Sequence, residues 1–140
     1  MRVSIIPASE LSEQEAAHVS ERVCAAEHKN DGGARSAWEN LNWHPKLFVV
    51  YVDDNEQRSF MGLLTADGPP DETCPTWWID GRHRGKRLGK PMIDAFIPLL
   101  RARGVTGIGR ISIQTYLTAH DAASTSLAKY LRVRFATSAA

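Results

Sequence analysis

The chain has 140 residues, a length that suits one domain built on one core. Its 43% apolar and 24% charged residues exclude a disordered chain, which would carry fewer apolar groups and more net charge. The formal net charge of +1 excludes a global field toward nucleic acid or anionic membrane, so any recognition of anions has to come from a local cluster.

Val3–Ile6 reads as a short first strand ended by Pro7. Ser9 or Ser12 can cap the helix that follows, with Glu13 and Glu15 in its first turns. Leu11, Ala16, Val19, Val23 and Ala26 recur at helical spacing, which predicts one amphipathic helix over Ser9–Glu27. Lys29–Gly33 is a loop, and Ala34–Leu41 a second short helix carrying Trp38. Leu47–Val52 is rich in β-branched and aromatic residues and predicts a strand. Asp53-Asp54-Asn55 turns the chain, and Arg58–Thr65 returns as the second arm of a hairpin. Thr73–Asp80 is a further strand, with Pro75 confined to its start or to an edge.

Pro91 opens a helix where a missing N–H matters least, and Met92, Ile93, Phe96, Ile97 and Leu100 form its apolar stripe. Pro98 is expected to kink or shorten it. Ile108–Thr115 is read as a strand, Asp121–Leu131 as a last helix and Val133–Ala136 as a last short strand. This order predicts an α/β domain, a mixed sheet covered by helices. Cys24 and Cys74 show no metal-ligand or disulfide-scaffold spacing, so no metal is expected. The short apolar run at the N-terminus does not read as a signal peptide, and no run approaches the ~20 apolar residues of a membrane span. The expectation is a cytoplasmic protein without a membrane partner.

The chemistry concentrates in one place. Residues 82–90 contain Arg82, Arg84, Lys86, Arg87 and Lys90, with His83, between the apolar strand ending at Ile79 and the helix opened by Pro91. A strand, a basic turn and a helix N-terminus make an anion site, because unpaired backbone N–H groups point outward and the helix dipole adds positive potential. Gly85 and Gly89 allow the backbone to approach a phosphate closely. A solvated basic turn or a nonspecific nucleic-acid patch would carry the same charges. A nucleic-acid face, however, interleaves aromatics with its cations; here Trp77-Trp78 precede them, on the strand that feeds the turn.

The segment Trp77–Lys90 resembles the acetyl-CoA-binding signature of the GCN5-related N-acetyltransferases, Arg/Gln-x-x-Gly-x-Gly/Ala at the end of the fourth strand. Arg84 matches the first position and Gly89 the last, while Arg87 stands where the middle glycine is usual. The resemblance implies that backbone N–H groups of Arg84, Gly85, Lys86, Arg87, Leu88, Gly89 and Lys90 bind the pyrophosphate. It also implies that the strand edge near Trp78 and Ile79 pairs with the pantetheine arm and polarises the thioester carbonyl. His120 falls nearest the asparagine that this family usually carries after the fifth strand. Direct attack of an amine on the thioester needs a base and a proton for the leaving thiolate. Tyr130 is the candidate acid, with Tyr116 a second, and Glu72, acting through water, the candidate base; Asp71, Asp80, His44 and His83 are further polar groups near the expected cleft.

The reading is therefore one domain over residues 1–140, an α+β mixed sheet with a fold like that of the GCN5-related N-acetyltransferases and a shortened C-terminal end. The expected activity is transfer of an acetyl group from acetyl-CoA to a primary amine. The alternative is a degenerate module of the same fold that binds CoA or a partner without turnover. A single strand at the C-terminus would leave a sheet edge for a second subunit to cover, so a homodimer is a possible partner state. The acceptor pocket would draw on residues 27–45, which carry Glu27, Asp31, Trp38, Glu39 and Trp43 but no interpretable motif.

Overall fold

The β-branched run that begins at Leu47 lies at the centre of a sheet. The computed structural model describes residues 2–25, 32–41, 45–109 and 122–138. Within them β1 (Arg2–Pro7), β2 (Leu47–Asp54), β3 (Gln57–Asp67) and β4 (Cys74–Ile79) pair antiparallel, in the order β1-β2-β3-β4. Leu47 through Val52 are all buried, the pattern of a strand covered on both faces. Among the described residues four helices supply that cover: α1 (Glu13–Cys24), α2 (Gly32–Leu41), α3 (Gly89–Ala102) and α4 (Ala122–Thr137). Phe48 meets Phe96 of α3 edge-on, ring centroids 5.7 Å apart. Tyr51 belongs to the opposite face and lies in the field of Glu15 at the start of α1. The architecture is a mixed α+β domain, and none of its described helices is long and apolar enough to cross a membrane.

The first helix begins later than its apolar spacing predicts. Ser12 sets the start: its hydroxyl accepts from the Glu15 N–H at 3.1 Å, and its own N–H donates to Glu15 Oε1 at 2.9 Å. This reciprocal pair closes the helix end, and Ala8–Glu10 form a separate single turn before it. In α3 the helix continues through Pro98 to Ala102. Pro98 is exposed, so the carbonyl it leaves without a helical partner faces water and the helix is not shortened.

β3 carries one extra residue. Pairing passes from Val50↔Gly62 to Tyr51↔Phe60, leaving Met61 unmatched as a bulge. The Met61 carbonyl accepts the Asp80 N–H at 2.7 Å, so the β3–β4 ladder extends one step beyond Ile79 to the residue that opens the basic turn.

After α3 the chain returns beside β4. The Thr73 N–H donates to the Gly107 carbonyl at 3.0 Å, and the Thr73 carbonyl accepts from the Gly109 N–H at 2.7 Å, a parallel step centred on Thr73 and Ile108. The expected strand Ile108–Thr115 therefore starts parallel to β4, and residues 110–115 lie outside the described part. Thr73 turns its backbone groups away from β3, so Pro75, Trp77 and Ile79 do the same, while Trp78 and Asp80 turn theirs toward β3. The next parallel bond would run from residue 75 to the Gly109 carbonyl. Proline has no N–H to give, and that carbonyl accepts instead from Arg132 Nη2 of α4 at 2.8 Å.

The C-terminus corrects the sequence reading. Val133–Ala136 is not a strand; α4 continues through it to Thr137. Leu127, Leu131 and Phe135 are spaced by four and share one helix face. Leu131 and Phe135 are buried, whereas Val133 is 62% exposed. A strand would have put Val133 and Phe135 on the same side. Arg101 of α3 secures the end: its guanidinium lies 3.7 Å from the Phe135 ring centroid and donates to the Phe135 carbonyl at 2.7 Å and to Ser138 Oγ at 3.0 Å. A cation on terminal carbonyls satisfies acceptors that the helix leaves open. With no C-terminal edge strand, the motive for a covering second subunit falls away.

Phe135→Ala is expected to lower stability by about 3–5 kcal/mol, and Val133→Lys to change it by about 0.5 kcal/mol or less. Urea unfolding followed by circular dichroism checks both; equal losses would restore the strand.

Candidate functional site

Asp80 begins the basic turn and is anchored from several directions. Its carboxylate, buried at 3% exposure, accepts two bonds from Arg22 of α1, Nε to Oδ2 and Nη2 to Oδ1, both 3.0 Å. It also accepts the Arg82 N–H at 3.2 Å, capping the single helical turn Gly81–His83. Arg84 Nε donates to the Ile79 carbonyl at 2.8 Å. Leu88 is buried and pins the far end of the turn. Between these anchors Gly85 and Arg87 take positive φ, 75° and 59°. α3 then starts with no side-chain cap on its first N–H groups, which leaves the positive end of its dipole facing the turn.

The structure distributes the predicted site residues unevenly. Arg84, Gly85, Lys86, Arg87, Leu88, Gly89 and Lys90 form one continuous turn into α3. Gly89 has a packing reason: a Cβ there would lie 2.6 Å from Leu127 Cδ1, so the bare backbone admits α4 against the start of α3. Ile79 presents its backbone groups to the outer edge of β4, with its carbonyl engaged by Arg84. Trp78 is 1% exposed, packs on Phe60 and turns its backbone toward β3. Tyr130 is brought to the turn by α4: Lys90 Nζ sits 5.3 Å from its ring centroid, and its hydroxyl donates to Asp94 Oδ1 at 2.7 Å. That hydrogen bond raises the Tyr130 pKa above its ordinary value. Glu72 is exposed in the short turn before β4, a strand's length from the basic turn, about 20 Å at some 3.3 Å per residue. His120, Tyr116, His44, Trp43, Glu27 and Asp31 lie outside the described residues.

A second feature was missed by the sequence reading. On the α1 side of the turn opens a cleft of about 260 Å³. Arg82, His83 and Lys86 of the turn line it together with His18 and Arg22 of α1 and Arg58 of β3; Ser59 and Phe60 complete the wall. His18 and Arg22 are one helical turn apart and so share a face, which was the available signal, but nothing in the sequence says that Arg58 meets them. The His83 pKa is lowered, first by burial and then by Lys86, against a smaller opposing effect of Asp80. Its ring therefore stays neutral where an exposed histidine would begin to charge.

Two outcomes follow. Arg87 holds a left-handed conformation that costs a side-chain-bearing residue roughly 1–2 kcal/mol, against roughly 0.5–1 kcal/mol of extra chain entropy for glycine. Arg87→Gly is therefore expected to stabilise the fold by about 0.5–1 kcal/mol in chemical denaturation; a loss would mean that the side chain makes a compensating contact. For His83, the unfolded chain binds a proton near the ordinary value of 6.5 and the folded chain only below it. Its contribution is complete above that value and is lost as pH falls through the window beneath it. His83→Gln is expected to flatten the stability–pH slope there, leaving the separate acid loss from Glu15, whose capping hydrogen bonds act below 4.5; an unchanged slope between pH 5 and 6.5 would refute this.

Comparison with family models, with curated proteins and with solved structures found no match, so the reading of the site rests on its own chemistry.

Proposed function

We propose that the turn from Arg84 to Lys90 holds the diphosphate of acetyl-CoA and that the chain is an N-acetyltransferase acting on a primary amine by direct transfer. The observation that carries this is the turn itself. Gly85 and Arg87 at positive φ shape a backbone concavity of the kind that receives anions, and it opens onto an uncapped helix start among exposed Lys86, Arg87 and Lys90.

The outer edge of β4 supports the rest. The N–H and C=O of Trp77 and the N–H of Ile79 face that edge, and Pro75 has no N–H to give to the parallel step after Thr73. A pantetheine arm laid there would pair with the backbone and carry its thioester away from the turn, toward the end of β4 where Glu72 stands. Attack requires a neutral amine; Glu72, through water, would take its proton. Tyr130 is the candidate acid for the departing thiolate, but it is held beside Lys90 at the turn, so it serves only a thioester that lies at the turn end of β4, out of reach of Glu72.

One observation favours the second reading, a module that binds CoA without turnover. Tyr130 is tied to Asp94 at 2.7 Å with its proton held more firmly than usual, which is a poor starting state for an acid. A calorimetric titration with acetyl-CoA is expected to show saturable binding that weakens as salt rises. No heat with acetyl-CoA or CoA would sink both readings. Thiol release on adding a panel of amines supports the transferase, and binding without release leaves the module.

A further inference from the structure

The basic turn has a second side. Its backbone faces α3, but the side chains of Arg82, His83 and Lys86 reach the cleft beneath α1. We infer that this cleft is a binding site for a phosphate monoester dianion, a site distinct from the backbone concavity that leads into α3.

The argument starts from charge. Arg22 is committed to Asp80, and Arg58 to Asp53 at 3.1 Å. These two guanidinium groups are locally compensated. Arg82 and Lys86 have no carboxylate partner among the described residues. The cleft thus keeps an excess of two positive charges, which a dianion balances and a carboxylate or sulfate ester does not. Phosphate esters carry close to two negative charges above their second pKa near 6, and arginine and lysine are their usual partners.

His83 adds a directional donor without adding charge. Its Nδ1 is buried with no hydrogen-bond partner among the described residues. A proton on a buried nitrogen with no acceptor is costly, so Nδ1 carries the lone pair and Nε2 the N–H. The same constraint disfavours the imidazolium, and the ring serves as a neutral donor beside two cations. Ser59 contributes a hydroxyl to the wall, and Phe60 an apolar surface against which the organic side of an ester can lie. At about 260 Å³ the cleft is just under the roughly 300 Å³ at which drug-sized sites begin. It has room for a phosphate and a small organic group. The monoester can belong to a separate small molecule or to the 3′-phosphate of a CoA whose diphosphate lies across the turn. The site stands whether or not the turn binds a diphosphate.

The test is a calorimetric titration of the full chain at pH 8 with phenyl phosphate and with phenyl sulfate, a monoanion of the same shape. The Arg82→Gln/Lys86→Gln double variant is titrated alongside; both side chains are exposed, so an unchanged melting temperature verifies its fold. Saturable binding of phenyl phosphate is expected, at least tenfold weaker for the sulfate and at least tenfold weaker in the variant. CoA and dephospho-CoA, which differ only in the 3′-phosphate, identify the source. Tighter binding of CoA, lost in the variant, assigns the monoester to CoA; equal binding of the two assigns it to a separate molecule, provided phenyl phosphate binds. Phenyl phosphate binding without binding of either CoA form upholds the cleft and removes the acetyl-CoA reading. The cleft is overturned if the sulfate binds as tightly as the phosphate or if the variant is unaltered. It also falls if phenyl phosphate does not bind and CoA gains nothing over dephospho-CoA.

Discussion

One buried carboxylate joins the parts of this protein that bear on function. The backbone of Asp80 belongs to the sheet, through its N–H on Met61 of the β3 bulge. Its side chain belongs to α1 through Arg22 and to the basic turn through the Arg82 N–H. A buried carboxylate needs these donors, because an unpaired one in that position would be several kcal/mol too costly to keep charged. The reverse dependence is as strong. Arg22, 17% exposed along its side chain, would lose its counter-charge without Asp80, and the turn would lose its first fixed N–H. Such a pair contributes little net stability over an apolar replacement. What it fixes is geometry: the height of α1 over the end of β4, and hence the existence of a cleft between them.

The turn is then held at three points, Asp80, the Arg84 guanidinium on the Ile79 carbonyl, and buried Leu88. Between them Arg82, Lys86 and Arg87 face outward and are exposed, while His83 is half-buried. Arg87 at φ 59° shows that the path of the chain here is imposed by the anchors and not by local preference. A residue that disfavours the left-handed region is held there because Leu88 must reach the core one step before Gly89, where α3 packs on α4.

Much of the sheet was legible because its strands are apolar runs, β-branched in the first two, with turn residues between them. The late start of α1 was half legible: Ser12 and Glu15 form a recognisable capping pair, but the apolar spacing extends upstream past it. The C-terminal segment was not legible. Arg132-Val133-Arg134-Phe135 alternates as a strand does, while Leu127, Leu131 and Phe135 repeat as a helix does, and both patterns are real. The decision comes from Arg101, some thirty residues earlier, which covers Phe135 and the last carbonyls of α4, and no local pattern encodes that contact. The same logic divides the site. The basic turn could be read because its cations are contiguous. The cleft could not, because His18, Arg22 and Arg58 arrive from a helix and a strand whose polar residues would look alike on any surface.

The near-neutral net charge hides how the charges are arranged. Away from the turn, several cations are matched to carboxylates: Arg35 to Glu39, Lys46 to Asp67, Arg134 to Asp94. Exposed pairs of this kind add little stability, typically below about 1 kcal/mol. Their consequence is electrostatic. Each pair neutralises its own cation locally, whereas in the basic turn Arg82, Lys86, Arg87 and Lys90 follow closely on one another with no carboxylate ion pair among the described residues. A small multiply charged ligand would find that attraction concentrated at one turn. Under the proposed reading, a preference for compact anions would come from where charge has been neutralised as much as from where it has been left.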